Sequence, residues 1–222
     1  LVVDVWNEPD IFYWRGTREE YFKLYDYTAD AIKRALPSAR VGGPTTTNPG
    51  PGDDNSGSFL IEFLEHCRNG KNYVTGNTGS PLDFISFHAK GGPRVIDDGH
   101  HVQMDMGRQL DAIANGFRIV SSFAEFKDLP VIIGESDPEG CAACSFTSGY
   151  PHNAYRNGIM YAAYTASSFA RKYELADKYD INFAGAVSWS FEFENQAWFD
   201  GFRSMSTNGV NKPVLNVFRM FG

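Results

Sequence analysis

Short apolar runs alternate with longer stretches of helical periodicity along this chain. Val2 to Trp6 opens it as a short apolar strand. From Thr17 to Leu36 the pattern is that of a helix, with Tyr25, Ala29, Ile32 and Leu36 on one face. Thr17 and Glu20 spell a capping box, in which each side chain satisfies a free backbone N–H of the first turn, and Pro37 stops the helix. A short strand is predicted from Arg40 to Gly43. A loop rich in Gly, Pro, Asn and Asp follows from Pro44 to Gly57, long enough to be mobile or a binding loop. A helix from about Ser58 to Arg68 ends at Asn69-Gly70. A strand from Asp83 to His88 precedes a glycine-containing loop and a helix around Val102 to Asn115. The next strand, Leu129 to Gly134, leads through a cysteine-bearing loop to a long helix, about Asn153 to Ala176. A strand from Phe183 to Trp189, an irregular polar-aromatic segment and a short helix from Pro213 to Met220 complete the pattern.

Five strand–helix units in succession imply a parallel sheet, because parallel neighbours need crossover helices. The strands are almost continuously apolar, as expected when both faces are covered. The expected class is therefore α/β. A doubly wound sheet fits the alternation too, but it usually carries a glycine-rich phosphate loop after its first strand. Here the first strand runs into Asn7-Glu8-Pro9 instead. No repeat, low-complexity tract or linker divides residues 1–222, so one domain is expected.

The strand ends carry the chemistry. They deliver, in order, Asn7-Glu8, Thr45 to Thr47, His88, Glu135 and Trp189. In a (β/α)8 barrel such ends converge on one pocket. Two glutamates at the ends of separate buried strands suit glycoside hydrolysis, one donating a proton and the other attacking the sugar. Asp137 and Glu139 lie in the same loop as Glu135, but Glu135 directly follows the apolar strand, where side chains are held more rigidly. Aromatic residues make up 15% of the chain; as a set they read as core packing, and as sugar platforms only where placed at strand ends. The net charge is -7 with no basic cluster, which speaks against nucleic acid and an anionic membrane surface as partners. No apolar run is long enough to cross a membrane as a helix.

The stretches Trp6 to Asp10, Phe84 to Ala89, Gly134-Glu135, Val187 to Phe191 and the closing Gly209 to Arg219 together resemble glycoside hydrolase family 39 of clan A. This is the family of β-xylosidases and α-L-iduronidases, and the resemblance spans nearly the whole chain. It implies a TIM barrel of which this chain supplies roughly strands 4 to 8, and a retaining β-xylosidase-type activity on terminal xylose of xylo-oligosaccharides. It implies Glu8 as acid/base, Glu135 as nucleophile, Asn7 on the sugar 2-OH, Trp189 as subsite floor, and His88 on the sugar or orienting a carboxylate. Many members have a Tyr two residues after that His; this chain has Lys90, a cation that would favour an ionised Glu135 nearby. Trp14, Glu192, Glu194 and Asn195 are candidate substrate contacts in rim loops. Alternatives are a β-glucosidase, an iduronidase-like enzyme using Lys90 or Arg94 for the sugar carboxylate, or an inactive carbohydrate-binding barrel.

No metal or organic cofactor is expected, since two carboxylates suffice. Cys141-Ala142-Ala143-Cys144 is read as a structural loop, either a small disulfide or two free thiols. The remaining candidates for a zinc site (Cys67, His66, His100, His101, His152) are not spaced for one, and His100-His101 reads as a solvated pair. The start at Leu1, directly in a strand, reads as a fragment. An isolated chain of this kind is expected to have exposed sheet edges, poor solubility and little activity. Compartment and oligomeric state are left open.

Overall fold

A computed structural model of the chain describes residues 1–51, 54–97, 101–190 and 194–221. It contains two compact units. The first is formed by Leu1–Ala89, Asp111–Glu135 and Glu174–Val187, the second by Lys90–Leu110, Ser136–Tyr173 and Ser188–Gly222.

The elements are β1 (Val2–Asp4), α1 (Arg18–Ala35), β2 (Arg40–Thr46), α2 (Asn55–Asn69), β3 (Phe84–Lys90), β4 (Arg94–Ile96), β5 (His101–Gln103), α3 (Met106–Ser121), β6 (Val131–Asp137), α4 (Ile159–Tyr179), β7 (Phe183–Ala186), β8 (Ser206–Thr207), β9 (Val210–Asn211) and α5 (Pro213–Phe221). One five-stranded sheet has the order β1-β2-β3-β6-β7. The pairs β1–β2, β2–β3 and β6–β7 are parallel. Its strands neighbour one another in chain order, as in a barrel wall; a doubly wound sheet would reverse direction at a switch point. The sheet is thus a parallel α/β half-barrel.

Helix boundaries follow local chemistry. The capping box at Thr17 and Glu20 is formed, and acidic Glu19 and Glu20 lie at the positive end of α1 while Lys33 and Arg34 lie at its negative end. Tyr25 and Ala29 of the expected face are buried, joined by Tyr21 one turn earlier. Leu36 is instead the exposed C-cap residue. α2 begins earlier than expected because Asp54 caps it, accepting from the Gly57 N–H at 3.0 Å. The expected loop from Pro44 therefore loses residues to β2 at one end and α2 at the other; residues 52–53 lie outside the described ones. Between β3 and α3 the chain makes a short antiparallel ribbon, β4 with β5, where only loop and helix were expected. Before α4, Pro151–Asn157 is a 3-10 turn. β7 stops at Ala186, short of the expected Trp189.

The first unit has an apolar interior. Tyr21 and Tyr25 of α1 meet Phe59 and Phe63 of α2 edge-on, with centroids 5.2 and 4.8 Å apart. Phe87 of β3 packs on Phe117 of α3, and Gly116 is what lets helix and strand approach: a Cβ there would lie 2.5 Å from the Phe87 ring. A polar knot ties α1 to α2, Asp26 accepting from His66, Ser80 and the Tyr73 N–H. His66 is thus engaged within the core, stacked 4.8 Å from Phe22.

The second unit is organised differently. Its most buried side chains include Arg156, Arg203, Lys172, Lys212 and Asp137. Arg156, Arg203, Lys212 and Asp137 are held by dense hydrogen bonding, whereas Lys172 lies over the Phe169 ring. Lys212 Nζ donates to the Phe202 carbonyl at 2.8 Å, and Gln109 accepts from Tyr164 and Ser168 at 2.9 and 2.7 Å. No helix among the described residues is long and apolar enough to cross a membrane.

Candidate active site

In the first unit, three sheet strands bring Glu8, His88 and Glu135 together. Glu8 follows β1, His88 lies within β3, and Glu135 lies within β6. His88 Nδ1 is 2.8 Å from Glu8 Oε1 and 3.8 Å from Glu135 Oε1. One ligating atom from each of the three lies within 4.8 Å of the others, so the two carboxylates share one small volume. His88 is buried, whereas each glutamate keeps part of its side chain open. Among the described residues this is also the group placed to hold a metal ion. Proton transfer and nucleophilic attack by two carboxylates need no metal.

The local backbone explains why Glu8 points where it does. Glu8 and Trp6 both have positive φ, 46° and 73°. For residues other than Gly this conformation costs free energy and persists only when the surroundings hold it. The hold comes from β2. Thr45 is a bulge at the end of that strand, itself at φ 51°. Its carbonyl accepts from the Glu8 N–H at 3.1 Å, and its hydroxyl donates to the Trp6 carbonyl at 3.0 Å. A bulge beside a site re-aims the chain in this way. Asp10 fastens the other side of the loop, accepting from the Thr47 N–H at 3.0 Å and the Thr47 hydroxyl at 2.5 Å. Burial pushes the Asp10 carboxyl above its ordinary value, with the Thr47 hydrogen bonds pulling the other way.

Gly134 has a steric reason to precede Glu135. A Cβ there would come within 3.2 Å of the His88 ring. Asp4, on β1, accepts from Ser86 at 2.5 Å, and its carboxyl is raised chiefly by burial. Asn7 is exposed beside Glu8. Trp14 is engaged locally, its Nε1 donating to the Thr17 carbonyl at 2.9 Å and its ring meeting Trp6 at 5.4 Å. It anchors the loop to the start of α1.

The second unit holds Lys90, Trp189, Glu194 and Asn195. Lys90 Nζ is 2.6 Å from Asp137. Asp137 is fully buried and also accepts from Ser188 Oγ at 2.6 Å and from the Trp189 N–H at 3.3 Å. Arg203 Nε donates to the Trp189 carbonyl at 2.7 Å. Both cations stand by the Trp189 ring, Lys90 at 6.0 Å and Arg203 at 5.8 Å from its centroid. Trp189 itself is 39% exposed. Glu139 sits between Arg156 at 2.7 Å and Arg203 at 2.6 Å. Burial raises its carboxyl despite both guanidinium groups, and burial lowers Arg156. Asp137 and Glu139 are thus both bound to buried or half-buried cations. Glu194 and Asn195 are exposed on a turn, with Asn195 at φ 53°. Glu192 and His100 lie outside the described residues. His101 pairs with Asp97 at 3.1 Å on the surface. Cys141 and Cys144 are joined as a disulfide, and Cys67 is a buried free thiol.

The sequence offers no site role for Asp4 or Asp10, and offers Asp137 only as a rival to Glu135. Asp10 follows Asn-Glu-Pro directly, which is the one hint the sequence carries.

The family model described as Glycosyl hydrolases family 39 matches residues 2–222. A β-xylosidase of Caldicellulosiruptor saccharolyticus is 28% identical over 98% of this chain and 40% of its own length. The α-L-iduronidase of Homo sapiens is 30% identical over 61% of this chain and 19% of its own length. Among solved structures, a monomeric β-xylosidase from Caulobacter crescentus superimposes with a TM-score of 0.69 at 24% identity, covering 98% of this chain and 40% of that one. The chain therefore spans about 40% of the length of the β-xylosidases it matches. With its model matched almost end to end, the family is settled: the chain belongs to glycosyl hydrolases family 39, a family of glycosidases.

Proposed function

We propose that this chain is the strand 4 to strand 8 portion of a (β/α)8 barrel, and that the protein is a retaining β-glycosidase releasing terminal xylose from xylo-oligosaccharides. The observation that carries the proposal is the approach of Glu8 and Glu135, whose nearest ligating atoms lie within 4.8 Å, across one histidine. Retaining enzymes keep their two carboxyl groups ~5–5.5 Å apart, whereas inverting ones leave ~6.5–9.5 Å for a water. The close pair favours a double displacement.

In that reading Glu8 protonates the leaving oxygen while Glu135 attacks the anomeric carbon. Glu8 then takes a proton from water, which releases the sugar from Glu135. His88 steers Glu8 through its Nδ1 contact. Asn7 hydrogen-bonds the sugar 2-OH, and Trp189 forms an aromatic floor. Glu194 and Asn195 are candidate rim contacts, and Trp14 supports the acid/base loop. The β-xylosidase relatives, matched over 98% of the chain, favour xylose.

A uronide-cleaving activity is the second reading. Lys90 stands by the Trp189 ring, where a sugar carboxylate would find its ammonium. The iduronidase relatives support it over 61% of the chain.

The test is hydrolysis of aryl β-xyloside, β-glucoside and α-L-iduronide by the full-length protein. Xyloside cleavage, lost in Glu135→Ala and partly rescued by azide in Glu8→Ala, is the expected result. Preference for the iduronide moves the substrate to the second reading. A folded protein that binds sugar and turns over none of the three is a binding barrel instead.

A further inference from the structure

We infer that the disulfide-closed loop at Cys141 and Cys144 is a positioning element for Trp189, acting through Arg156, Glu139 and Arg203. The functional part of this inference rests on the proposed role of Trp189 as sugar platform; the structural part does not.

The loop is built around a cation. The carbonyls of Cys141, Ala142 and Cys144 all accept from the Arg156 guanidinium, at 2.8, 3.3 and 3.3 Å. The Gly201 carbonyl adds a further acceptor at 3.1 Å. Arg156 is fully buried, so these acceptors replace the water that a guanidinium would otherwise hold. Asn153 also donates to the Cys144 carbonyl at 2.7 Å. The disulfide holds the ends of this carbonyl cage together, and Cys141 is exposed to solvent.

From the cage, two links reach Trp189. Arg156 fixes Glu139 Oε1, which is shared with Arg203 Nη1. The Arg203 N–H donates to the Ala142 carbonyl at 3.0 Å, so the loop also holds Arg203 by its backbone. Arg203 Nε then donates to the Trp189 carbonyl at 2.7 Å. Asp137 closes the arrangement, 3.4 Å from Arg203 Nε and hydrogen-bonded to the Trp189 N–H. The peptide groups on both sides of the Trp189 Cα are therefore gripped by Arg203 and Asp137, and the disulfide loop sets where Arg203 stands.

The disulfide can be opened by a dithiol reductant. Its thiolate attacks one sulfur, and its second thiol closes onto the first to leave the reductant as a cyclic disulfide. Two electrons and two protons pass to the protein, leaving two thiols. Cys67 is buried as a free thiol and takes no part.

The experiment uses the full-length protein labelled with 5-fluorotryptophan, the Trp189 resonance being assigned by its loss in Trp189→Phe. Fluorine spectra and aryl β-xyloside kinetics are recorded before and after dithiol treatment, with thiol titration to confirm opening. The expected result is a shifted or broadened Trp189 resonance, with unmoved Trp6 and Trp14 resonances. KM rises more than kcat falls, and kcat/KM drops about tenfold, within the ~10²-fold that ångström-scale misplacement can cost. If reduction unfolds the protein, Arg156→Lys is the second probe. It keeps the charge and disulfide but gives up most carbonyl contacts, and should move the same resonance. An unmoved Trp189 resonance in the opened protein or in folded Arg156→Lys overturns the inference. A resonance that moves in a protein without glycosidase activity upholds the tie and removes the proposed sugar role.

Discussion

Replacing Lys172 by Met should stabilise the protein, and by an amount that depends on pH. Lys172 lies on α4, 1% exposed, with its ammonium 4.5 Å from the Phe169 ring centroid. Burial pushes its pKa down from 10.5 to about 7, and the charge of Asp137 opposes this only in part. The unfolded chain holds the proton up to about 10.5, while the folded chain releases it near 7. Between those values the unfolded state binds more protons, so stability rises with pH through that window. Below it, both states are protonated and the full cost of burying the ammonium is felt. A depression of that size corresponds to about 5 kcal/mol below pH ~7, about 3 kcal/mol near pH ~8.5 and under ~1 kcal/mol above pH ~10.5. Met fills similar volume without charge, so Lys172→Met should recover about 2–4 kcal/mol near pH ~6, after allowance for lost cation–ring attraction. Urea unfolding of both proteins at about pH 6, 7.5, 9 and 10 measures it. An equal difference at every pH, or a destabilised variant near pH ~6, would refute the argument that burial of the charge is the dominant cost.

Three further outcomes are expected. Thr17→Ala removes one half of the capping box and should cost about 1 kcal/mol in thermal or urea unfolding, and adding Glu20→Ala, which removes the other half, should cost more. Gly116→Ala drives a methyl into the Phe87 ring and should cost about 1–3 kcal/mol, while Gly140→Ala, where a Cβ meets nothing, should be near neutral. Asp10→Ala releases the Thr47 clamp on the Glu8 loop; with Glu8 as the proposed acid/base, kcat for aryl β-xyloside should fall about tenfold or more with little change in KM, and an unaltered kcat would show that Glu8 is held without it.

The long elements of this fold were readable because their signals are local and redundant. Thr17 and Glu20 announced α1, Asn69-Gly70 closed α2, and continuous apolar runs marked β3 and β6. Elements of two or three residues were not readable: β4 and β5 are too short for an alternation to register. Asp54 was hidden as a cap because it stands among other loop-forming residues. Strand ends are not legible where tertiary pairing, not composition, decides them, as at Lys90 and Asp137. For the site, Glu8 and Glu135 stood out as polar residues ending apolar strands. Asp10 and Thr45 did not, because their work is to hold backbone: the Thr47 N–H in one case, that of Glu8 in the other. Such roles are set by three-dimensional approach and leave no spacing to detect.

The charged interior of the second unit bears on how this part of the chain can change. Its ion pairs are mutually dependent: Glu139 serves two arginines, and Arg203 serves two carboxylates and the Trp189 carbonyl. Removing one member strands the others without water, whereas exchanging a whole set for well-packed apolar groups can be neutral. Single substitutions here should therefore be strongly epistatic, and a viable variant would arrive as a coordinated set of changes. The aromatic interior of the first unit is built from pairwise contacts and should accept substitutions one at a time. Within one chain, then, one unit is free to drift in small steps while the other can move only in jumps.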